Sequence, residues 1–292
     1  MEKYWVIADI HGEYQKLLTL MELIKKHGFN LETDRLVSLG DKNDRGPDTY
    51  EVFEYFRNLD LMYPDRVDLI WGNHEDMMMN AAKLRPHGDI FWFNGNGGTK
   101  TLESYSKVTR FYGKKSLGNS LIKTGHHGLF HKHIYFLETP EYFFCHAPIP
   151  KEQYRHHAPG VDFRCDINTL IWGAPERDSW NKPGQTLEEW IEPNLIPIEE
   201  NGNFSGKHKL CVYGHLHRLE WKEIVKTHRP ATNDGHEYKI KGYEVVNPGV
   251  QKIGNAVLLD TGCGCALEGY LSCLELPAMK VYDSRGEVFD LK

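Results

Sequence analysis

Asp9 and His11 stand one residue apart, and so do His215 and His217. Between these pairs come Asp41, Asp44 and Arg45 in "GDKNDRG", Asn73 and His74 in "GNHE", and His146 after "FFC". Carboxylate, imidazole and amide oxygen are ligands suited to manganese, iron or zinc, and no soft thiolate is among them. There are enough of them for two ions that share one carboxylate. The closing pair is the most specific item taken singly, because residues two apart on a strand face the same way and both imidazoles can reach one place. Taken alone, D-x-H reads equally well as a solvated loop, GNHE as turn chemistry, and a histidine after an aromatic run as a satisfied interior residue. Their joint placement separates the readings.

Each motif follows a short apolar run. "KYWVIAD" reads as a buried strand, and Leu17, Leu20, Met21 and Ile24 then recur at helical spacing until Gly28. "RLVSLG" is a second strand. Pro47 opens a helix that carries Val52, Phe53 and Phe56 on one face. "VDLIWG" is a third strand before a helical "HEDMMMNAAKL". This alternation predicts parallel strands with crossover helices. The second half is strand-rich: "HIYFLET" and "EYFFCHA" predict a hairpin, and "KLCVYG", "AVLLDTG", "GYLSCLEL" and "MKVYD" predict further strands. Sheet packed on sheet with helices outside follows. Open α/β sheets place their sites at the carboxyl ends of strands, where all six motifs fall, the glycine-rich "LDTGCG" included.

A chain of 292 residues with ordinary globular composition allows one large domain with insertions or one domain with a small appendage, and a single domain over 1–292 is the expectation. Stretches near 178–208 and 221–254 have turn composition and read as insertions. No apolar run is long enough for a signal peptide or a membrane span, which predicts a cytoplasmic protein with no membrane partner. Six cysteines are no disulfide framework, and Cys263 and Cys265 read as incidental thiols in a turn. A net charge of −6 argues against a nucleic-acid partner. The histidines of "GHHGLFHKH", with no carboxylate beside them, read as a solvated loop, and Met77, Met78 and Met79 as helix packing. Oligomeric state is not legible.

In this order, D-x-H, G-D-x-x-D-R-G, G-N-H-E, a strand-end His and G-H-x-H resemble the calcineurin-like metallophosphoesterases, and within them the small bacterial and phage serine/threonine phosphoprotein phosphatases. "FWFNGNGGTKTLESY" resembles their tryptophan- and glycine-rich loop, and the likeness runs from about residue 4 to 276. Lys42 and Asn43 depart from it, standing where an apolar pair is usual; so do Ala8, where Gly or Ser is commoner, and His217, which the classical protein phosphatases lack.

The resemblance implies an α/β fold, a four-layer αββα sandwich of two mixed sheets flanked by helices. It implies one ion on Asp9, His11, Asp41 and His217, and a second on Asp41, Asn73, His146 and His215. Manganese is expected, with iron or zinc as alternatives. By the same resemblance a metal-bridging hydroxide attacks phosphorus directly, Arg45 and a second arginine, taken as Arg177, hold phosphate, and His74 oriented by Asp44 protonates the leaving oxygen. The expected substrate is a phosphoprotein or small phosphoester. Symmetrical hydrolysis of diadenosine tetraphosphate is the alternative, against which Asp44 counts, since that branch usually has Ala there. A scaffold that has lost catalysis and a nuclease are weaker readings: every ligand is present, and GNHE replaces GNHD.

Overall fold

A computed structural model describes residues 2–84, 91–110, 114–149, 167–173, 196–200, 203–216, 220–228, 238–246, 249–265 and 269–292. The first half alternates β1 (Tyr4–Ile7), α1 (Tyr14–Lys26), β2 (Arg35–Ser38), α2 (Thr49–Met62), β3 (Val67–Leu69) and α3 (Asn73–Ala81). β1, β2 and β3 pair in parallel, as the alternation predicts. Three late strands, β13 (Ser272–Leu276), β14 (Lys280–Asp283) and β15 (Val288–Asp290), extend this sheet antiparallel to the order β15-β14-β13-β1-β2-β3. The second sheet has the order β11-β12-β8-β5-β4. Its members are β4 (Phe136–Glu138), β5 (Tyr142–Cys145), β8 (Leu210–Tyr213), β11 (Gln251–Ile253) and β12 (Ala256–Leu258). β5, β8 and β12 are parallel and the two edge strands antiparallel, so both sheets are mixed.

Side-chain alternation along the strands builds the layers. Tyr4, Val6 and Ala8 face Tyr142, Phe144, Val212 and Leu259 between the two sheets. Trp5 and Ile7 face the opposite way, onto Leu17, Leu20 and Ile24 of α1 and Val52, Phe53 and Phe56 of α2. On the far side of the second sheet Phe143, Cys145, Cys211 and Tyr213 pack with Leu170 of α8 (Ile167–Trp172). Helix, sheet, sheet and helix therefore stack in the expected order. The three methionines Met77, Met78 and Met79 are buried in the first core.

Several elements differ from expectation. The stretch resembling a tryptophan- and glycine-rich loop folds into α4 (Phe91–Gly95) and α5 (Gly98–Thr109), followed by α6 (Lys114–Thr124) and α7 (His126–Phe130). "GHHGLFHKH" is not a solvated loop. His126 is fully buried, Tyr105 Oη lies 2.6 Å from its Nδ1, and Glu54 Oε2 lies 3.0 Å from its Nε2. The carboxylate absent from the local sequence arrives from α2. The expected insertions carry hairpins: β6 (Pro197–Glu200) with β7 (Asn203–His208), and β9 (Glu220–His228) with β10 (Tyr238–Val246), paired over nine residues each. Residues 178–195 lie outside the described residues. Among the described residues no helix is long and apolar enough to cross a membrane.

Candidate active site

The loops after β1, β2, β3, β5 and β8 converge at one end of the two sheets. His11, Asp41, Asp44, Arg45 and His215 all adopt positive φ, between 49° and 71°. Non-glycine residues enter this region at a cost, and such residues cluster where a fold holds side chains for chemistry. Hydrogen bonds between loops keep them there. Ile10 and His11 N–H both donate to Asp41 O at 2.9 Å, and Gly46 N–H donates to His11 O at 2.8 Å. Gly72 and Gly214 leave room at closest approach: a Cβ on Gly72 would overlap Asp41 Oδ1, and one on Gly214 would overlap Asp9 Oδ2.

Asp41 lies at the centre. Its Oδ2 is 3.6 Å from His11 Nε2 and 3.8 Å from His74 Nε2. Its Oδ1 is 3.4 Å from His146 Nε2 and accepts the His74 backbone N–H at 2.9 Å. Two groups of potential ligands thus share this carboxylate, His11–Asp41–His74 and Asp41–His146–His215, each with ligand atoms within 4.8 Å of one another. Asn73 Oδ1 lies 2.9 Å from His146 Nε2 and 3.0 Å from His215 Nδ1. Asp9 accepts the His215 backbone N–H at 3.1 Å.

The protonation pattern fits a cation. His11 Nδ1–H donates to Asn43 O at 2.9 Å and His146 Nδ1–H donates to Leu39 O at 2.8 Å, which turns both Nε2 lone pairs inward, as outer partners of ligating histidines do. His146 Nε2 and Asn73 Oδ1 then face each other as two acceptors with no proton between them. Burial holds His146 at about 4, and burial with His146 beside it holds His215 at about 3. Burial, His74 and Arg45 lower His11 as well. Neutral imidazoles are the form that binds a metal. Burial, with Asp260 and Asp41 nearby, raises Asp9, and burial raises Asp41. Converging carboxylates that resist ionisation together are a site whose charge a dication would balance.

Beside this cluster stands an acid pair. His74 Nδ1–H donates to Asp44 Oδ2 at 2.7 Å. The same oxygen accepts Trp92 Nε1–H at 2.6 Å, and Oδ1 accepts the Thr101 hydroxyl at 2.6 Å. Burial works against a charged His74, yet Asp41 and Asp44 outweigh it, and its proton affinity stands above that of an ordinary imidazole. Arg45 Nη2 donates to His74 Nε2 at 3.2 Å, and Nη1 donates to Cys265 Sγ at 3.0 Å.

Of the residues expected from sequence, Asp9, His11, Asp41, Asp44, Arg45, Asn73, His74, His146 and His215 gather here. Arg177 and His217 lie outside the described residues. Sequence reasoning assigned no role to Trp92, Thr101, Glu75 or Asp260. Glu75 is fully buried: Oε2 accepts Asp41 N–H and Gly72 N–H at 2.9 Å each, and Oε1 accepts Lys42 N–H at 2.7 Å. Its place at the third position of α3, where a glutamate can turn back to the helix start, was the available signal. Asp260 is buried and acts on Asp9, but "LDTGCG" shows only a glycine-rich turn. Cys263 is buried with Sγ 3.4 Å from Ile10 O.

Rat serine/threonine-protein phosphatase 5 is 27% identical over 255 residues, covering 85% of this chain and 41% of that protein. The chain thus spans about two fifths of the length of that relative. Serine/threonine-protein phosphatase 2 of Salmonella typhimurium is 29% identical over 211 residues, 72% of this chain and 80% of that protein. Among solved structures, the cold-active protein-tyrosine phosphatase of a Shewanella species superposes with a TM-score of 0.52 at 17% identity, covering 100% of this chain and 81% of that one. That likeness speaks to the fold. The model of the calcineurin-like phosphoesterases matches residues 2–219, three quarters of the sequence and the loops after β1, β2, β3, β5 and β8, and the chain belongs to that family.

Proposed function

We propose that the chain is a metal-dependent phosphomonoesterase that acts on phosphoserine and phosphothreonine in proteins. The observation that carries this reading is the His74–Asp44 contact of 2.7 Å, with Asp44 fixed from behind by Trp92 and Thr101. A serine or threonine alkoxide is a poor leaving group and needs a proton, so a buried imidazole held by a carboxylate suits it. Asp9, His11, Asp41 and His217 would hold one divalent ion, and Asp41, Asn73, His146 and His215 the other. When bound, the ions supply Lewis-acid charge to the phosphoryl oxygens and acidify water. Manganese, iron and zinc all suit the ligand types.

The chain's own residues then divide the remaining work. Arg45 offers a planar fork to phosphate oxygens. In doing so its Nη2–H turns from His74 Nε2 to the substrate, and Nε2 becomes the atom that carries the proton for the leaving oxygen. Asp44 keeps the Nδ1 proton in place and favours the imidazolium. Arg177 is the proposed second phosphate-binding arginine.

The test is a substrate panel on protein stripped of metal and reloaded separately with Mn, Fe, Zn and Mg. Phosphopeptide, aryl phosphate, aryl phosphodiester and diadenosine tetraphosphate are compared at one pH. The expected result is higher kcat/KM for phosphopeptide than for the dinucleotide. The reverse order overturns the reading and makes the chain a dinucleoside tetraphosphatase.

A further inference from the structure

Lys42 has no place in the chemistry above, and it departs from the apolar residue that the resemblance leads one to expect. It is fully buried. Its Nζ donates to Ile70 O at 3.0 Å and lies 3.5 Å from Glu75 Oε1. Glu75 in turn accepts the backbone N–H groups of Asp41, Lys42 and Gly72. The ammonium is therefore linked through Glu75 to the backbone of Asp41, whose carboxylate the two groups of potential ligands share.

A buried ammonium is costly to desolvate, and anions must compensate it. Burial lowers the proton affinity of Lys42 below that of an ordinary lysine, and Glu75, Asp41 and Asp9 act against that loss. Around the centre Asp9, Asp41, Asp44, Glu75 and Asp260 are buried carboxylates, and Lys42 is a fully buried cation beside them. Without divalent ions this is an excess of negative charge in a poorly solvated space. Methionine would fill a similar volume, so filling space does not require an ammonium here.

We propose that Lys42 is a built-in counter-charge of the metal centre, stabilising the fold when metal is absent and loosening the hold on divalent ions when they bind. The inference rests on the metal-binding reading of the site. One positive charge serves both effects: it offsets Asp41 and Glu75 in the metal-free protein and repels the dications that arrive beside Asp41. Lys42 acts through Asp41 and is a positioning residue with an electrostatic task.

The experiment uses the full chain and Mn²⁺ as probe, with Mn²⁺ dissociation constants from chelator competition and melting temperatures with and without the ion. Lys42→Met should bind Mn²⁺ about tenfold more tightly or better, the scale expected for removing one charge near a dication. Its metal-free form should melt well below wild type, and the Mn²⁺-loaded form should recover most of the difference. Lys42→Arg keeps the charge and should leave the Mn²⁺ affinity near that of wild type. Lys42→Gln keeps an N–H for Ile70 O without charge, and it reports the same affinity change if the methionine variant does not fold. Neutral variants that bind Mn²⁺ equally or more weakly, or that lose the same stability with and without it, overturn the proposal and leave Lys42 a packing residue. Wild type that binds no divalent ion removes the metal-binding reading itself, and the proposal with it.

Discussion

Asp44→Asn keeps the shape of the acid pair and removes its charge. The amide oxygen can still accept from His74 Nδ1–H and Trp92 Nε1–H, which now meet Oδ2 at 2.7 Å and 2.6 Å. The amide nitrogen replaces Oδ1 and faces the Thr101 hydroxyl, which can rotate to accept from it. What is lost is a charge-assisted hydrogen bond and the attraction of a buried anion for an imidazolium. Charge-assisted bonds exceed neutral ones by about 1–2 kcal/mol, which is about one unit of His74 proton affinity and about 5- to 30-fold in rate where the proton is needed. The ceiling is the full worth of a general acid, roughly 10²–10⁴, which His74→Asn should reach. The assay compares kcat/KM of the Mn²⁺-loaded variant on phosphoserine peptide and on nitrophenyl phosphate. The peptide should suffer the larger loss, because nitrophenolate leaves without a proton. Equal losses on both substrates would refute the acid role of the pair and leave Asp44 a structural carboxylate.

Three further expectations follow from the same geometry. Asp41→Asn should weaken both divalent ions together, because Oδ1 and Oδ2 face different groups of ligands; metal analysis after dialysis checks this, and retention of two tight ions contradicts it. Gly72→Ala should displace Asp41 and abolish tight metal binding while the fold persists in circular dichroism, since the new Cβ would occupy the place of Asp41 Oδ1. His126 is held at about 4 by burial, so between pH 6.5 and 4 the unfolded chain takes up a proton that the folded one refuses. Stability from this residue is complete above pH 6.5 and is lost as pH falls towards 4, by up to about 3 kcal/mol, and denaturant midpoints of His126→Gln against pH should show that part of the slope removed.

Strand-end residues were legible because their signal is local. A short apolar run and then a polar cluster mark Asp9, Asp41 and Asn73, with a glycine just before the last two, without knowledge of anything else in the chain. The parallel order of β1, β2 and β3 was legible from the helices between them. Contacts made across the fold were not. Trp92 and Thr101 reach Asp44 from 48 and 57 residues away, through helices whose glycine-rich start reads as loop. His126 meets its carboxylate 72 residues back in α2, so the bare histidine run suggested solvent where the structure has a buried hydrogen-bond chain. β9 and β10 were hidden by the Pro-, Asn-, Asp- and Gly-containing stretch between them, which gave the whole segment the look of a loop.

Backbone conformation was the least legible layer, and it decides how the site is held. Nothing in "DIHG" or "DKNDRG" announces that His11, Asp41, Asp44 and Arg45 take left-handed φ, at roughly 1–2 kcal/mol each for an L-residue. The compensation comes from elsewhere in the chain. Glu75, on α3, takes the N–H groups that Asp41, Lys42 and Gly72 cannot give to a strand partner. Asn43 Nδ2 donates to His74 O at 3.0 Å, tying the β2 loop to the β3 loop a second time. Both departures from the apolar pair, Lys42 and Asn43, thus point inward, one to the clamp of Glu75 and one to the backbone of the acid. The loops that present Asp41 and His74 are bound to each other by buried polar contacts, and the positions of the two side chains are set by that connection more than by either loop alone.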